Sequence, residues 1–471
     1  VAVGVLPLPL AGIVAVGVPT VLLGAVVPRI TLTLLLFSIP FSSFAKVSTG
    51  SFDVTSTDAL VGLLCASWIA RAMLRRELTI VGGPTIVAAI ALLGAEVLAS
   101  VTAISFPLAI KEMIKLAELI AVALYAATNL RRAGDLRFIM RASFAAGVAE
   151  AMVGLFQFVT GRGPATFAIG PFIRAYGDFS QPNAFAGYIA LILPFAVAWM
   201  LLPGRGRLAA GLVAGILGMA MLASLSRGAW LGTGMGLAAM ALLWTRHAKR
   251  VIATGAIMIA LLFPAARAGL VPTSIVDRLT VVLENYWIFD VTQVEPDPSN
   301  WAIVERMAHW QAGWAMAMDH FITGVGPGNY EAAYPDYFLP TWVEPLGHAH
   351  NLYLNMFAET GIIGLIAFST FTVLIFIRII QALRRNRALR SATQSPAIRS
   401  DLLVRRVVLI GAMGAAVTFS VHNTFDNMFI HGMGVQFGLV LGLIEAQMAG
   451  DTAPRTSTSN NRDGNILDGS A

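Results

Sequence analysis

The stretch NLYLNMFAETGIIGLIAFSTFTVLIFI, residues 351–377, decides the fold. From Leu352 it runs apolar for the length that crosses a bilayer, with Glu359 its only charged residue. About 20 apolar residues span the hydrocarbon core. In lipid only a helix or a closed barrel satisfies every backbone group. The run is continuous rather than alternating, so it reads as a helix and not as a barrel strand. Directly before it stands EPLGHAHN, residues 344–351, which sets His348 and His350 at the mouth of the span.

The same pattern repeats along the chain. Of 471 residues, 57% are hydrophobic and 12% charged, too little polar surface for a water-soluble fold of this length. Apolar runs lie at roughly 29–44, 56–74, 80–101, 107–128, 138–160, 183–202, 208–224, 229–245, 250–266, 352–377, 407–422 and 430–448, about twelve spans. The fold class is an all-α polytopic membrane protein. Cys65 is the one cysteine, so no intrachain disulfide or cysteine metal site is available. The net charge of +6 does not mark a nucleic-acid binder, because the basic residues form short clusters between apolar runs.

Those clusters orient the chain. Arg71, Arg75 and Arg76; Arg131, Arg132 and Arg137; Arg205 and Arg207; Arg246, Lys249 and Arg250; and the run from Arg378 to Arg406 are expected to face the cytoplasm. Four regions follow: N-terminal transmembrane helices over 1–266, a large outside loop with short helices over 267–351, C-terminal transmembrane helices over 352–448, and a polar, disordered cytoplasmic tail over 449–471. Residues 1–27, apolar but broken by Pro7, Pro9 and Pro19, leave the topology of the N-terminus open. In the loop, helical spacing runs through SNWAIVERMAHWQAGWAMAMDHF, with Ser299 or Asn300 as its N-cap, and GVGPGNY breaks it.

Basic residues are scarce on the outside face, so each asks for a reason. The arginines are Arg162, Arg174, Arg227, Arg267, Arg278 and Arg306; the histidines are His309, His320, His348, His350, His422 and His431. Arg227, in SLSRGAW, is forced to membrane level because almost no loop joins its two spans. Taken alone it reads either as a snorkelling side chain or as one facing a partner or wet cavity. Arg306 reads either as an ion pair with Glu305 or as a ligand group, and His350 as a loop terminus or a base. Glu359, two turns into its helix, either pairs with a membrane-level cation or belongs to a site. Lys111, Glu112, Lys115 and Glu118 form an intramembrane cluster that reads first as internal ion pairing. His348 and His350 lack the further ligands of a metal motif, and no nucleotide-binding fingerprint occurs. Several arginines with one histidine suit a reaction in which a diphosphate departs and a hydroxyl attacks. Guanidinium forks hold the leaving charge, and an imidazole takes the proton. A donor used outside the cytoplasm has to be lipid-linked.

In order along the chain, RAYGDFSQPNAFAGYIALILPF (174–195), SLSRGAW (224–230), ERMAHWQAGWAMAMDHFITGVGPGNY (305–330) and HAHNLYLNMFAETGIIGL (348–365) resemble the O-antigen ligase/O-antigen polymerase superfamily, over about 150–445. The resemblance implies a bacterial inner-membrane glycosyltransferase of GT-C-like architecture, with its active site on the periplasmic side. It implies a glycan donor on undecaprenyl diphosphate, an acceptor such as lipid A–core or another glycan, and no metal or other cofactor. It assigns His350 as the base or acceptor-orienting residue, Arg174 and Arg306 to the diphosphate, and Arg227 to the same site. Tyr330, His348, Asn351 and Glu359 are expected to support them, Asn351 by fixing the imidazole and Glu359 by tying its helix to neighbours. Ligase and polymerase carry no distinguishing motif here. A polysaccharide flippase or other transporter would instead place its charges near the bilayer midplane.

Overall fold

The computed structural model describes residues 23–42 without 25, 46–48, 53–269 without 78 and 246, 290–297, and 300–449 without 431. The expectations for residues 1–22, Arg278, Ser299, His431 and the tail from 450 lie outside the described residues, as does the Arg267 side chain.

The chain folds as a helical bundle. Its helices are α1 (Pro28–Ser38), α2 (Ser56–Arg75), α3 (Pro84–Ala99), α4 (Phe106–Asn129), α5 (Ala133–Thr160), α6 (Pro182–Trp199), α7 (Gly206–Ala223), α8 (Arg227–Trp244) and α9 (Ala248–Arg267). They continue with α10 (Trp301–Asp319), the short α11 (Tyr330–Ala333), α12 (Leu352–Ala392), α13 (Pro396–His422) and α14 (Met433–Ala446). Among the described residues two small hairpins interrupt them, Lys46–Ser48 with Asp53–Thr55 and Ala168–Ile169 with Phe172–Ile173. Seven of the described helices are long and apolar enough to cross a membrane: α2, α3, α5, α6, α7, α12 and α13. The other expected spans appear as helices that are shorter, such as α1 and α14, or more polar, such as α4 with Lys111, Glu112, Lys115 and Glu118.

Hydrophobicity cannot drive helix against helix in lipid, so close backbone approach does. Gly228, Gly232 and Gly236 recur every fourth residue and give α8 a smooth face toward α13. A Cβ on Gly232 would stand 2.8 Å from the Thr418 carbonyl, and one on Gly236 2.5 Å from that of Gly414. Gly438 and Gly442 do the same for α14 against Leu119 and Ala123 of α4. Glu445, its side chain 1% exposed, accepts from the Arg378 guanidinium at 2.6 Å and the Thr85 hydroxyl at 2.7 Å, so one carboxylate ties α12 and α14 to the start of α3.

The span that opened the sequence reading is not one straight helix. Gly361 leaves helical geometry at φ 63°, ψ −164° and divides α12 in two. The backbone groups freed at the break find partners in the loop after α10. Val325 and Gly326 N–H donate to the Ala358 and Glu359 carbonyls, each at 2.9 Å, and Ile362 N–H donates to Phe321 O at 2.8 Å. Non-helical backbone at this depth persists because protein covers it. The Glu359 carboxylate completes the join, accepting from Gly328 N–H at 2.9 Å and Tyr330 N–H at 3.2 Å. The loop carrying Arg306 and the half-helix following His350 are thereby locked together.

Candidate active site

Arg174 follows the second hairpin, on a loop fastened from behind by α5. Gln157 Oε1 accepts from Tyr176 N–H at 3.2 Å and Gly177 N–H at 2.7 Å, and Glu150 accepts from Asp178 N–H at 2.8 Å. The guanidinium reaches over the tight turn between α7 and α8. Its Nε donates to Ser224 O at 2.7 Å and one terminal nitrogen donates to Asn183 Oδ1 at 2.8 Å. Within that turn Leu225 takes φ 50°, and α8 starts at Arg227 itself.

Arg174, Arg227 and Arg306 then meet around one cavity of about 40 Å³, whose wall also includes Asn183, Ser226, His422 and Asp426. Arg306 makes no ion pair with Glu305 among the described residues. One of its terminal nitrogens donates to Ala302 O at 3.3 Å, while its Nε is buried with no partner among the described residues. Three guanidiniums against one carboxylate make the cavity a place for an anion.

Asp426 is the acid in that wall, and the sequence reading missed it. It is the only acid between α13 and α14. A lone acid in so short a loop between two expected spans was the available signal, the counterpart of Arg227 between α7 and α8. It lies 3.5 Å from His350 Nδ1 and 3.7 Å from His348 Nε2. At 3.5 Å the His350 contact is a charge-to-ring approach short of a full hydrogen bond, and Nδ1 has no other partner among the described residues. Burial would raise the Asp426 carboxyl, but the facing His350, then His348 and Arg306, hold it well below the usual carboxylate range. His348 is pushed down to about 4, by burial first and by His350 second, against the pull of Asp426. His348 is therefore the neutral neighbour, its Nδ1 accepting from His350 N–H at 3.1 Å.

His350 adopts φ 51°, a left-handed conformation uncommon for residues other than glycine, though histidine takes it more often than most. Neighbours on three segments hold it there. Trp310 Nε1 donates to its carbonyl at 3.4 Å, and Ala349 N–H donates to Asn355 Oδ1 at 3.0 Å. Leu352 N–H donates to Asn423 O at 2.8 Å. Backbone strain of this sort collects at functional sites.

His309 is the second residue to which the sequence reading gave no role. It lies on α10 one turn from Arg306, 1% exposed, with its ring centroid 5.7 Å from that of His350 and 4.8 Å from that of Tyr334. The Tyr330 hydroxyl donates to His309 O at 3.1 Å, so at 3.0 Å from Nδ1 it is the acceptor, which puts the His309 proton on Nδ1. Burial, with His350 and His348 beside it, pushes His309 down to about 3.

The remaining expected residues sit at the edge. Tyr330 acts through His309. Asn351 caps α12, its Oδ1 accepting from Leu354 N–H at 3.1 Å. Glu359 faces the loop backbone as described. Lys115 pairs with Glu112 at 2.5 Å. His348, His350 and Asp426 offer three ligand atoms within 4.8 Å of one another, a set a metal ion could use. Arg306 is near enough to depress the Asp426 carboxyl, and a cation there would meet that guanidinium.

Fold and site together define a multi-pass α-helical membrane protein with an arginine-lined anion cavity beside a His–Asp pair at one end of its bundle. The sequence model of a family described as O-antigen ligase matches residues 212–369. That segment holds Arg227, Arg306 and His350, and the match supports the O-antigen ligase/polymerase superfamily for the chain. Arg174 and Asp426 lie outside it. No curated protein matches the chain.

Proposed function

We propose that this protein is a membrane glycosyltransferase. It moves a glycan from undecaprenyl diphosphate to an acceptor hydroxyl on the outer face of the bacterial inner membrane. One observation carries the reading: Arg174, Arg227 and Arg306 come from separate parts of the chain to one cavity that also holds the His350 partner, Asp426.

The acceptor oxygen attacks the anomeric carbon as the bond from that carbon to the diphosphate oxygen breaks. With its Nδ1 proton toward Asp426, His350 keeps the lone pair on Nε2 and receives the acceptor proton there. The departing diphosphate takes the bonding electrons, and its charge falls among the three guanidiniums, which need no reorganisation to receive it. Arg306, with an unsatisfied Nε, is the readiest of them. No metal takes part in this scheme.

The orientation rests on the arginine clusters at the other ends of the helices, such as Arg75 and Arg76 after α2 and Arg131 and Arg132 after α4. About twelve spans in a GT-C-like arrangement fit that orientation. The charges gather at one end of the bundle rather than around a midplane cavity, which weighs against a transporter. A ligase passes the glycan to lipid A–core, and a polymerase passes it to another lipid-linked chain. Purified protein given an undecaprenyl-diphosphate glycan pool, with and without lipid A–core, separates them. Glycosylated core marks a ligase, and longer lipid-linked chains without core mark a polymerase.

A further inference from the structure

The mechanism above leaves one buried cavity-wall group unused. His422 ends α13, is 1% exposed, and belongs to the same wall as Arg174, Arg227 and Arg306. Its Nδ1 is buried and meets no donor or acceptor among the described residues. The other edge of the ring lies over Gly228, where an added Cβ would be 2.9 Å from Cδ2 and 3.5 Å from Nε2. The glycine next to Arg227 thus leaves room for this imidazole. A buried polar ring with nothing to bond is unusual in a folded chain. The guanidiniums of the wall only donate, and the Asp426 carboxylate in that wall makes no hydrogen bond to the His422 Nδ1 among the described residues.

We infer that His422 is a fourth diphosphate-binding residue, its ring N–H donating to a phosphoryl oxygen held by the arginines. The inference rests on the diphosphate reading given above. The imidazole adds one more directional donor beside the guanidinium forks. It is carried on α13, four residues before Asp426, so the helix that presents the partner of the base also touches the leaving group. Neither proton transfer nor bond breaking is assigned to it.

The test uses the full-length purified protein and inorganic pyrophosphate as the probe, read as the rise in thermal unfolding midpoint with pyrophosphate concentration at constant ionic strength. His422→Phe keeps a ring over Gly228 and removes both nitrogens, and His422→Leu replaces it if the phenylalanine variant does not fold. His422→Gln keeps an amide donor. Expected are stabilisation of the wild type, a need for about tenfold more pyrophosphate in the nitrogen-free variant, and partial recovery in His422→Gln. Equal stabilisation of wild type and nitrogen-free variant overturns the role of His422 and leaves the arginine site standing. No stabilisation of the wild type overturns both.

Discussion

His350 Nδ1 and Asp426 Oδ1 face one another at 3.5 Å, one at the mouth of α12 and the other in the turn between α13 and α14. The pair exists because Leu352 N–H is held by the Asn423 and Asp426 carbonyls at 2.8 and 3.2 Å, which pins the two segments side by side. Asp426→Asn keeps the shape but removes the charge that orients the imidazole. Transfer in that variant is expected to fall ~10²-fold in kcat with the donor KM little changed. Unchanged kcat would remove Asp426 from the mechanism.

Arg306→Lys replaces a planar fork by a point charge. The expected outcome is a drop of at least ~10-fold in kcat/KM for the donor, with insertion and melting unaltered. Steady-state kinetics over a donor series check it. A variant as active as wild type would return Arg306 to a surface role.

Of the fold, the helical class and most helices were legible because apolar run length is a direct consequence of bilayer thickness. Arg174, Arg227 and Arg306 stood out because arginine is scarce in the loops that the charge pattern expects to face outward. Asp426 did not, since one acid in the short turn after α13 has no periodicity to betray it, only its place between two expected spans. The break at Gly361 was also hidden: its helix continues on both sides, and only the backbone of 321–326 pressed against it makes the glycine necessary. Asn351 was read as a partner of the imidazole, but its first duty is the helix cap, which a sequence expresses just as well.

At that break, Gly324→Ala would put a Cβ 2.3 Å from the Glu359 carbonyl carbon, and Gly361→Ala one 2.2 Å from Ile322 O. Both glycines also have positive φ, at 67° and 63°. Each substitution is expected to cost on the order of 1–3 kcal/mol and to lower the melting midpoint. Calorimetry or a fluorescence melt in detergent decides. A midpoint equal to wild type would mean that the loop is not locked onto α12.

The buried histidines give stability a pH dependence. His309 is held down to about 3 and His348 to about 4, while an unfolded histidine titrates near 6.5. Between those values these two histidines bind more protons in the unfolded chain than in the folded one, so the stability they contribute falls as pH drops below about 6.5 toward 4. Asp426, held low in the folded state, adds loss only at more acid pH, as its carboxyl protonates. Relative to His309→Gln, the wild-type melting midpoint is expected to lose ground as pH falls from about 6.5 to about 4. An equal slope in the variant would mean that His309 is not buried neutral.

His348, His350 and Asp426 could chelate a metal, and the account assigns them to proton transfer instead. Activity after dialysis against a strong chelator is expected to match the untreated protein. A loss restored by a divalent cation would replace the imidazole base with a metal-bound hydroxide.

His350 stands in this mechanism as the base of a glycan transfer. Transfer from an undecaprenyl-diphosphate glycan is measured with purified wild type and His350→Ala at equal insertion and equal melting midpoint. Product is expected from the wild type and none above background from His350→Ala. Equal product from both would remove His350 from the chemistry.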